Sequence, residues 1–366
     1  MSTAAKVIRP EIQAMHAYQV ADATAMVKLD VMESPYRLPG DLAAEIGRIV
    51  ANVALNRYPV PTAHALRAVI REVMQVPPGC DVLLGNGSDE CIQYMTAAIA
   101  REGAVVMAPT PSFAMFAMHA LFFRLRFVGV PLRSDFSLDT EAFLASMAKE
   151  RPALVWIAFP NNPTGNAFPV ADVERIIGAA PGLVVIDEAY QPFAGETFMP
   201  RLAEFENMVV MRTVSKIGMA GLRLGYVCGR PEWIEAFNKT RSPFNVNVVT
   251  EAVAIKLLQN KQVLDAQAAK VLEERERVRS ELARMPGLTV YPSAANFVLV
   301  RVAGAQRRAQ GALGAGTRVF ESLKAQGVLV KDFSGGDPQL ENCLRLTVGT
   351  PEENRILIAA LREALK

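Results

Sequence analysis

The chain has 366 residues, 51% of them hydrophobic and 21% charged, with 39 Lys plus Arg against 37 Asp plus Glu. That is an ordinary globular composition, and the length asks for two domains, or a large one with a smaller appendage, because single cores stop growing at roughly 250–300 residues. A net charge of +2 gives no general attraction to nucleic acid or to an anionic membrane, and neither is expected as a partner.

Met1–Ala14 carries Lys6 and Arg9 with no apolar run behind them, so no secretory signal is read and the chain is expected in the cytoplasm. The four cysteines, Cys80, Cys91, Cys228 and Cys343, have no CxxC spacing and predict buried free thiols, not a zinc site or a disulfide framework. His16, His64 and His119 suggest no metal; His64, just beyond a Tyr-Pro-Val-Pro turn, is expected on a helix surface.

Short apolar runs then alternate with helical patterns. Ala104–Ala108, Phe127–Val130, Leu154–Phe159, Leu183–Ile186, Met208–Arg212 and Leu224–Cys228 read as strands buried on both faces. Asp89–Arg101, Leu138–Lys149 and Val170–Ala180 read as helices between them. The alternation predicts an α/β fold with an open, mostly parallel sheet flanked by helices, which binds ligands at the carboxyl ends of its strands. Ala104–Phe123 lacks Asp, Glu, Lys and Arg, but Pro109, Pro111 and Ser112 break it into a strand, a turn and a helix whose Met and Phe residues are expected in the core.

After about Asn247 the pattern changes to a long amphipathic helix running through Val271–Met285. Strands follow around Phe297–Val302, Val328–Lys331 and Cys343–Val348, with a closing helix Pro351–Lys366 and a solvated connection at Ala303–Gly316. These predict a large domain over 41–247 and a smaller α+β domain over 248–366.

Four strings stand where strands end. Gly85-Asn86-Gly87-Ser88-Asp89-Glu90 leads into a helix, whose positive end and the Gly87 and Ser88 amides could hold a phosphate; alone it describes a tight turn with Ser88 or Asp89 as N-cap. Phe159-Pro160-Asn161-Asn162-Pro163-Thr164-Gly165 alone is ordinary turn chemistry. Asp187-Glu188-Ala189-Tyr190 puts a carboxylate and a phenol past a strand, and Thr213-Val214-Ser215-Lys216, followed by Gly221-Leu222-Arg223-Leu224-Gly225, adds two hydroxyls, a lysine and an arginine. Together and in this order they answer one need, holding pyridoxal phosphate (PLP), whose aldehyde forms a Schiff base with a lysine and whose ring nitrogen needs an acidic partner.

Over nearly its whole length the chain resembles the histidinol-phosphate aminotransferases, of the fold-type I PLP-dependent enzymes, through NRYPVP, GNGSDE, PSF, NNPTG, DEAY, TVSK, AGLRLGY and RLTVGT. The resemblance implies that Lys216 binds the cofactor and acts as general base and acid, that Asp187 pairs with the ring nitrogen, and that Asn162 and Tyr190 hydrogen-bond the ring hydroxyl. It places the phosphate among Gly87, Ser88, Thr213, Ser215 and Arg223, with Tyr58 reaching in from the second subunit of a homodimer. It stacks Phe113, where relatives usually carry Tyr, on the ring. Residues 1–40 would form an arm packing on the small domain and the partner subunit.

For substrate, the match points to Arg345, which would grip the glutamate or 2-oxoglutarate carboxylate and, in turn, the phosphate of L-histidinol phosphate. Asn162 also faces the substrate, and Tyr18 and Lys331 match positions that help with that phosphate, Lys331 standing in place of Arg. The interval from Lys216 to Arg223 is one residue shorter than in the commoner pattern. Aromatic-amino-acid aminotransferases and a threonine-phosphate decarboxylase share most of these strings. PLP-binding regulators of transcription share the fold, but fewer than 60 residues precede Tyr58, with no helix-turn-helix pattern.

Overall fold

The computed structural model describes residues 3–17, 21–304 and 313–366. An amino-terminal arm carries a two-residue strand, β1 (Val27–Lys28), ahead of the main sheet. Seven strands follow: β2 (Asp81–Asn86), β3 (Val105–Thr110), β4 (Arg126–Pro131), β5 (Leu154–Ala158), β6 (Leu183–Asp187), β7 (Met208–Thr213) and β8 (Leu224–Gly229). They lie in the order β2-β8-β7-β6-β5-β3-β4, and every residue of β5, β6, β7 and β8 is buried, as their unbroken apolar runs require.

Each expected strand is present to within a residue or two at its ends. β2 was not expected, because Val82-Leu83-Leu84 is short and shows neither alternation nor β-branched enrichment. β8 runs antiparallel to both β2 and β7 in an otherwise parallel sheet. The cause is the short connection from Thr213 to Leu224, two 3-10 turns at Ser215–Ile217 and Ala220–Leu222, since a parallel crossover needs a dozen or more residues. That shortness puts Lys216 and Arg223 in one connection at the carboxyl end of β7.

The expected helices occur as Ser88–Ile99, Thr140–Glu150 and Val170–Ala179. Ala104–Phe123 is a strand, a turn and the helix Met115–Phe122, with Phe116 buried on the Trp156 ring. The expectation of a wholly internal set is corrected: of the Met and Phe residues in 111–123 only Phe116 is fully buried, Phe113, Met115, Met118 and Phe123 are partly exposed and Phe122 is 36% exposed, because a helix apolar all round can turn only one side to the sheet. His64 opens the helix His64–Val73 and is exposed, and all four cysteines are buried free thiols.

The second sheet contains β9 (Leu288–Val290), β10 (Phe297–Val302), β12 (Lys331–Asp332) and β13 (Cys343–Thr347), antiparallel in the order β12-β13-β10-β9. Between β10 and β12, β11 (Val328–Leu329) pairs in parallel with β1. The run Val328–Lys331 is thus two strands, because the buried Val330 switches the chain from the arm to the sheet. The arm lies on this unit: Thr347 N–H donates to the Leu29 carbonyl at 3.0 Å, and Leu29 enters the small core with Val278, Leu282 and Val298. The helix Ala315–Ala325 takes the end of the expected Ala303–Gly316 connection, and 305–312 lie outside the described residues.

The closing helix, Pro351–Ala364, starts with a capping box between Thr350 and Glu353 and Pro at its first turn. The helix Val248–Gln259 buries Val253, Ala254, Leu257 and Leu258 in the large core, against the helices Gly40–Ala51 and His64–Val73. The next, Lys261–Leu282, starts in that core with Leu264 and ends in the small one with Val278 and Leu282. The change of texture at Asn247 therefore precedes the change of core: it marks longer helices, and amphipathic periodicity does not say which core a face meets.

Candidate active site

A cavity of about 240 Å³ opens at the carboxyl ends of the parallel strands, where the large sheet meets the arm. Asp187 and Tyr190 enter it from the end of β6, Asn162 from β5, Phe113 from β3, Ser88 from the helix after β2, and Thr213, Ser215, Lys216 and Arg223 from the β7–β8 connection. The turns after β3 and β5 are tied together: Ser112 Oγ donates to Asn161 Oδ1 at 2.8 Å, and Asn161 Nδ2 donates to the Pro111 carbonyl at 3.0 Å. This ties together the two turns that bring Phe113 and Asn162 to the cavity, with Phe113 edge-on to Phe116 at 5.6 Å.

One end of the cavity is an anion cradle. Gly87, at φ +81°, turns the chain into the helix Ser88–Ile99, and a side chain there would meet Arg223 Nη2 at 2.5 Å. A Cβ on Gly225 would come within 2.4 Å of the Ser88 nitrogen. Two bare glycines thus let the Ser88 amide, the helix terminus and the guanidinium converge. Thr213 Oγ1 donates to Ser215 Oγ at 2.9 Å, setting both hydroxyls beside them. Arg223, itself in the left-handed region at φ +51°, rests 3.4 Å from Asp89, which also lines the cavity. The shortened Lys216–Arg223 interval therefore still delivers Arg223 to the cradle.

The floor is electrostatically opposite. Asp187 is buried, accepts a hydrogen bond from the Ala189 amide at 3.1 Å, and has no cationic side chain within ion-pair distance among the described residues. Burial raises its pKa to about 7. Lys216 Nζ donates to the Val31 carbonyl at 3.1 Å and lies 5.8 Å from the centre of the Tyr190 ring. Burial and then the Arg345 guanidinium lower its pKa to about 8.

Arg345 reaches this end from β13. Its Nη1 donates to Asn162 Oδ1 at 2.5 Å and its Nη2 to the Asp30 carbonyl at 2.8 Å, and its Cζ lies 5.4 Å from the centre of both the Phe297 and the Phe333 ring. It stands behind Asn162, off the cavity wall. Lys331 pairs directly with Arg345 across β12 and β13, which puts both side chains on one face of the small sheet, but it does not line the cavity. Tyr58 is 82% exposed, stacked on Phe244 at 4.7 Å, away from this subunit's cavity. Tyr18 lies outside the described residues.

Sequence reasoning missed the arm segment Val31–Glu33, which closes the cavity from above, because nothing in its local pattern distinguishes it from other loops. It also missed the ion pair of Arg212 with Glu188, 2.8 Å apart and almost fully buried, which joins β6 to β7 directly behind Asp187 and Thr213. Adjacent residues pointing to opposite faces of the strands, at positions 187–188 and 212–213, were the available signal. Among the described residues, no group of three or more His, Cys, Asp or Glu side chains could hold a metal ion, and no helix is long and apolar enough to cross a membrane.

The donor set fits pyridoxal phosphate: a cradle that a Cβ would fill, a buried carboxylate with no cation at ion-pair distance among the described residues, and a lysine with a depressed pKa in the same cavity. The family model for aminotransferase class I and II matches residues 24–361. Histidinol-phosphate aminotransferase 2 of Cupriavidus pinatubonensis is 54% identical over 99% of this chain and 97% of its own length. The protein called histidinol-phosphate aminotransferase 2 in Burkholderia pseudomallei is 53% identical over the full length of both. Among solved structures, histidinol-phosphate aminotransferase from Sinorhizobium meliloti, in complex with pyridoxal-5′-phosphate, superposes with a TM-score of 0.86 at 26% identity, covering 98% of each chain.

Proposed function

The chain belongs to the class I and II aminotransferases, and we propose that it moves the amino group between L-histidinol phosphate and 2-oxoglutarate, giving imidazole acetol phosphate and L-glutamate in histidine biosynthesis. The observation that carries the reading is one cavity that gathers Lys216, a buried Asp187 with a raised pKa, Asn162 bonded from behind by Arg345, and an anion cradle.

The cofactor is pyridoxal 5′-phosphate, which supplies an aldehyde for an amine to condense with and a ring that accepts the electrons left when the substrate carbon loses its proton. Its phosphate would be held by the Gly87 and Ser88 amides, the Thr213 and Ser215 hydroxyls and Arg223. Asp187 would hold the ring nitrogen protonated, and its raised pKa is the cost that this cation removes. Asn162 and Tyr190 would donate hydrogen bonds to the ring hydroxyl, and Phe113 would supply a stacking face.

Lys216 would take the proton from the substrate's Cα and, as the conjugate acid, give it to the carbon on the far side of the substrate nitrogen. A lysine of ordinary pKa would be protonated nearly all the time at neutral pH; one at about 8 is neutral often enough to act as a base. Arg345 would hold the carboxylate of glutamate and then the phosphate of histidinol phosphate, a guanidinium fork suiting both anions. Lys331 and Tyr18 would assist with that phosphate. Tyr58, 82% exposed on its own subunit, would complete the cradle of a second copy in a homodimer. We place the enzyme in the cytoplasm.

The test is spectroscopic. L-histidinol phosphate, L-phenylalanine and L-threonine phosphate are added separately to the yellow holoenzyme while its visible absorbance is followed. Rapid bleaching by histidinol phosphate alone supports the reading. Preference for phenylalanine replaces it with an aromatic aminotransferase, and no bleaching by any donor removes it.

A further inference from the structure

Among the described residues three carboxylates line the cavity, and two already have a role. Asp187 faces the ring-nitrogen position on the floor, and Asp89 lies against Arg223 at the phosphate cradle. The third, Glu33, enters from the arm. Its backbone neighbourhood is held firmly: Arg345 donates to the Asp30 carbonyl, Met32 N–H donates to Thr347 Oγ1 at 3.1 Å, and Asn296 Nδ2 donates to the Met32 carbonyl at 3.0 Å. Lys216 donates to Val31 in the same segment. The arm thus carries the Glu33 carboxylate into the wall of the cavity that Lys216 also lines, on a segment whose backbone both Lys216 and Arg345 bond. Its one ion pair among the described residues is with Lys28, 2.7 Å away, with the Lys28 and Glu33 side chains 37% and 45% exposed. A pair that exposed contributes little, so an incoming donor displaces it at small cost.

We infer that Glu33 is a specificity-determining residue that accepts a hydrogen bond from the N–H of the substrate's imidazole ring. This rests on the histidinol-phosphate reading above. A carboxylate favours an azole N–H, and still more its protonated form, over a phenyl ring of the same shape. A site built to bond an N–H rejects the analogue lacking it, by less here than in a closed pocket because Glu33 is half-exposed.

The test compares kcat/KM for L-histidinol phosphate with that for L-phenylalaninol phosphate, its phenyl analogue, in wild-type, Glu33→Gln and Glu33→Ala holoenzymes whose visible cofactor spectra match. In Glu33→Ala the preference for the imidazole substrate is expected to fall by about 10-fold or more, mainly through KM. Glu33→Gln, near-isosteric and neutral, is expected to lie between. An unchanged preference in both variants, or equal losses on the two substrates, overturns the inference while leaving the function standing. Wild-type enzyme that fails to accept histidinol phosphate overturns the function itself.

Discussion

The amine of Lys216 donates to the carbonyl of Val31, 3.1 Å away across 185 residues of sequence. The bond joins the reactive end of the large sheet to an arm that packs on the small unit through β1 and Leu29. It also shows how the lysine's charge is managed: one backbone acceptor orients the amine, while burial and Arg345 keep its proton loosely held. Substitution tests the two halves of the site separately.

Lys216→Ala is expected to lower turnover by at least about 10³-fold, since it removes both the cofactor's anchor and the proton carrier. The visible absorbance due to the lysine-bound cofactor should vanish from the dialysed variant. Normal turnover by this variant would falsify the assignment.

Asp187 ties pH to stability in the cofactor-free protein. Its folded pKa of about 7 exceeds the ordinary 3.8, so between these values the folded chain keeps a proton that the unfolded chain has lost, and stability falls as pH rises. Apo Asp187→Asn is therefore expected to be more stable than apo wild type above pH 7, by about 2–4 kcal/mol, with the difference fading toward pH 4. Thermal unfolding of both apo proteins across that range checks it. With cofactor bound the variant should be nearly inactive, because asparagine cannot neutralise a protonated ring.

At Gly87 a methyl group would meet Arg223 Nη2 at 2.5 Å, in a backbone conformation that L-residues rarely adopt. Gly87→Ala should displace the guanidinium and weaken cofactor binding by about 10-fold or more. Titrating the apo variant with pyridoxal phosphate measures the effect; unchanged affinity would remove Arg223 from the cradle.

Arg345→Ala should raise KM for both glutamate and histidinol phosphate by about 10-fold or more, because one guanidinium serves both anions. Arg345→Lys should recover little, since a lysine cannot bond Asn162 and the Asp30 carbonyl as a fork. A loss confined to one substrate in steady-state kinetics would divide the role between two residues.

Tyr58 carries the prediction about assembly. Mixing Tyr58→Phe and Lys216→Ala subunits, after dissociation and reassociation, should produce heterodimers with one intact site. Activity should then exceed the mean of the two parents and approach roughly a quarter of wild type. Activity that stays at the parental mean would argue against a site shared across subunits.

Much of this protein was legible in the chain because its chemistry is local. Strands buried on both faces must be continuous apolar runs, so six of the seven large-sheet strands could be read directly, and the strings containing Gly87, Asn162, Asp187 and Lys216 follow strand ends, where the side chains converge. β2 escaped because three apolar residues carry too little periodicity, and the reversal of β8 depended on a connection too short to cross over. What only the tertiary structure decided are the long-range meetings: Val31 over Lys216, Arg345 on Asn162, Arg212 against Glu188, and Glu33 above the cavity. Composition and period report which face of an element is buried. They carry no record of which distant segment buries it, and that pairing sets the pKa of Lys216 and the shape presented to the substrate.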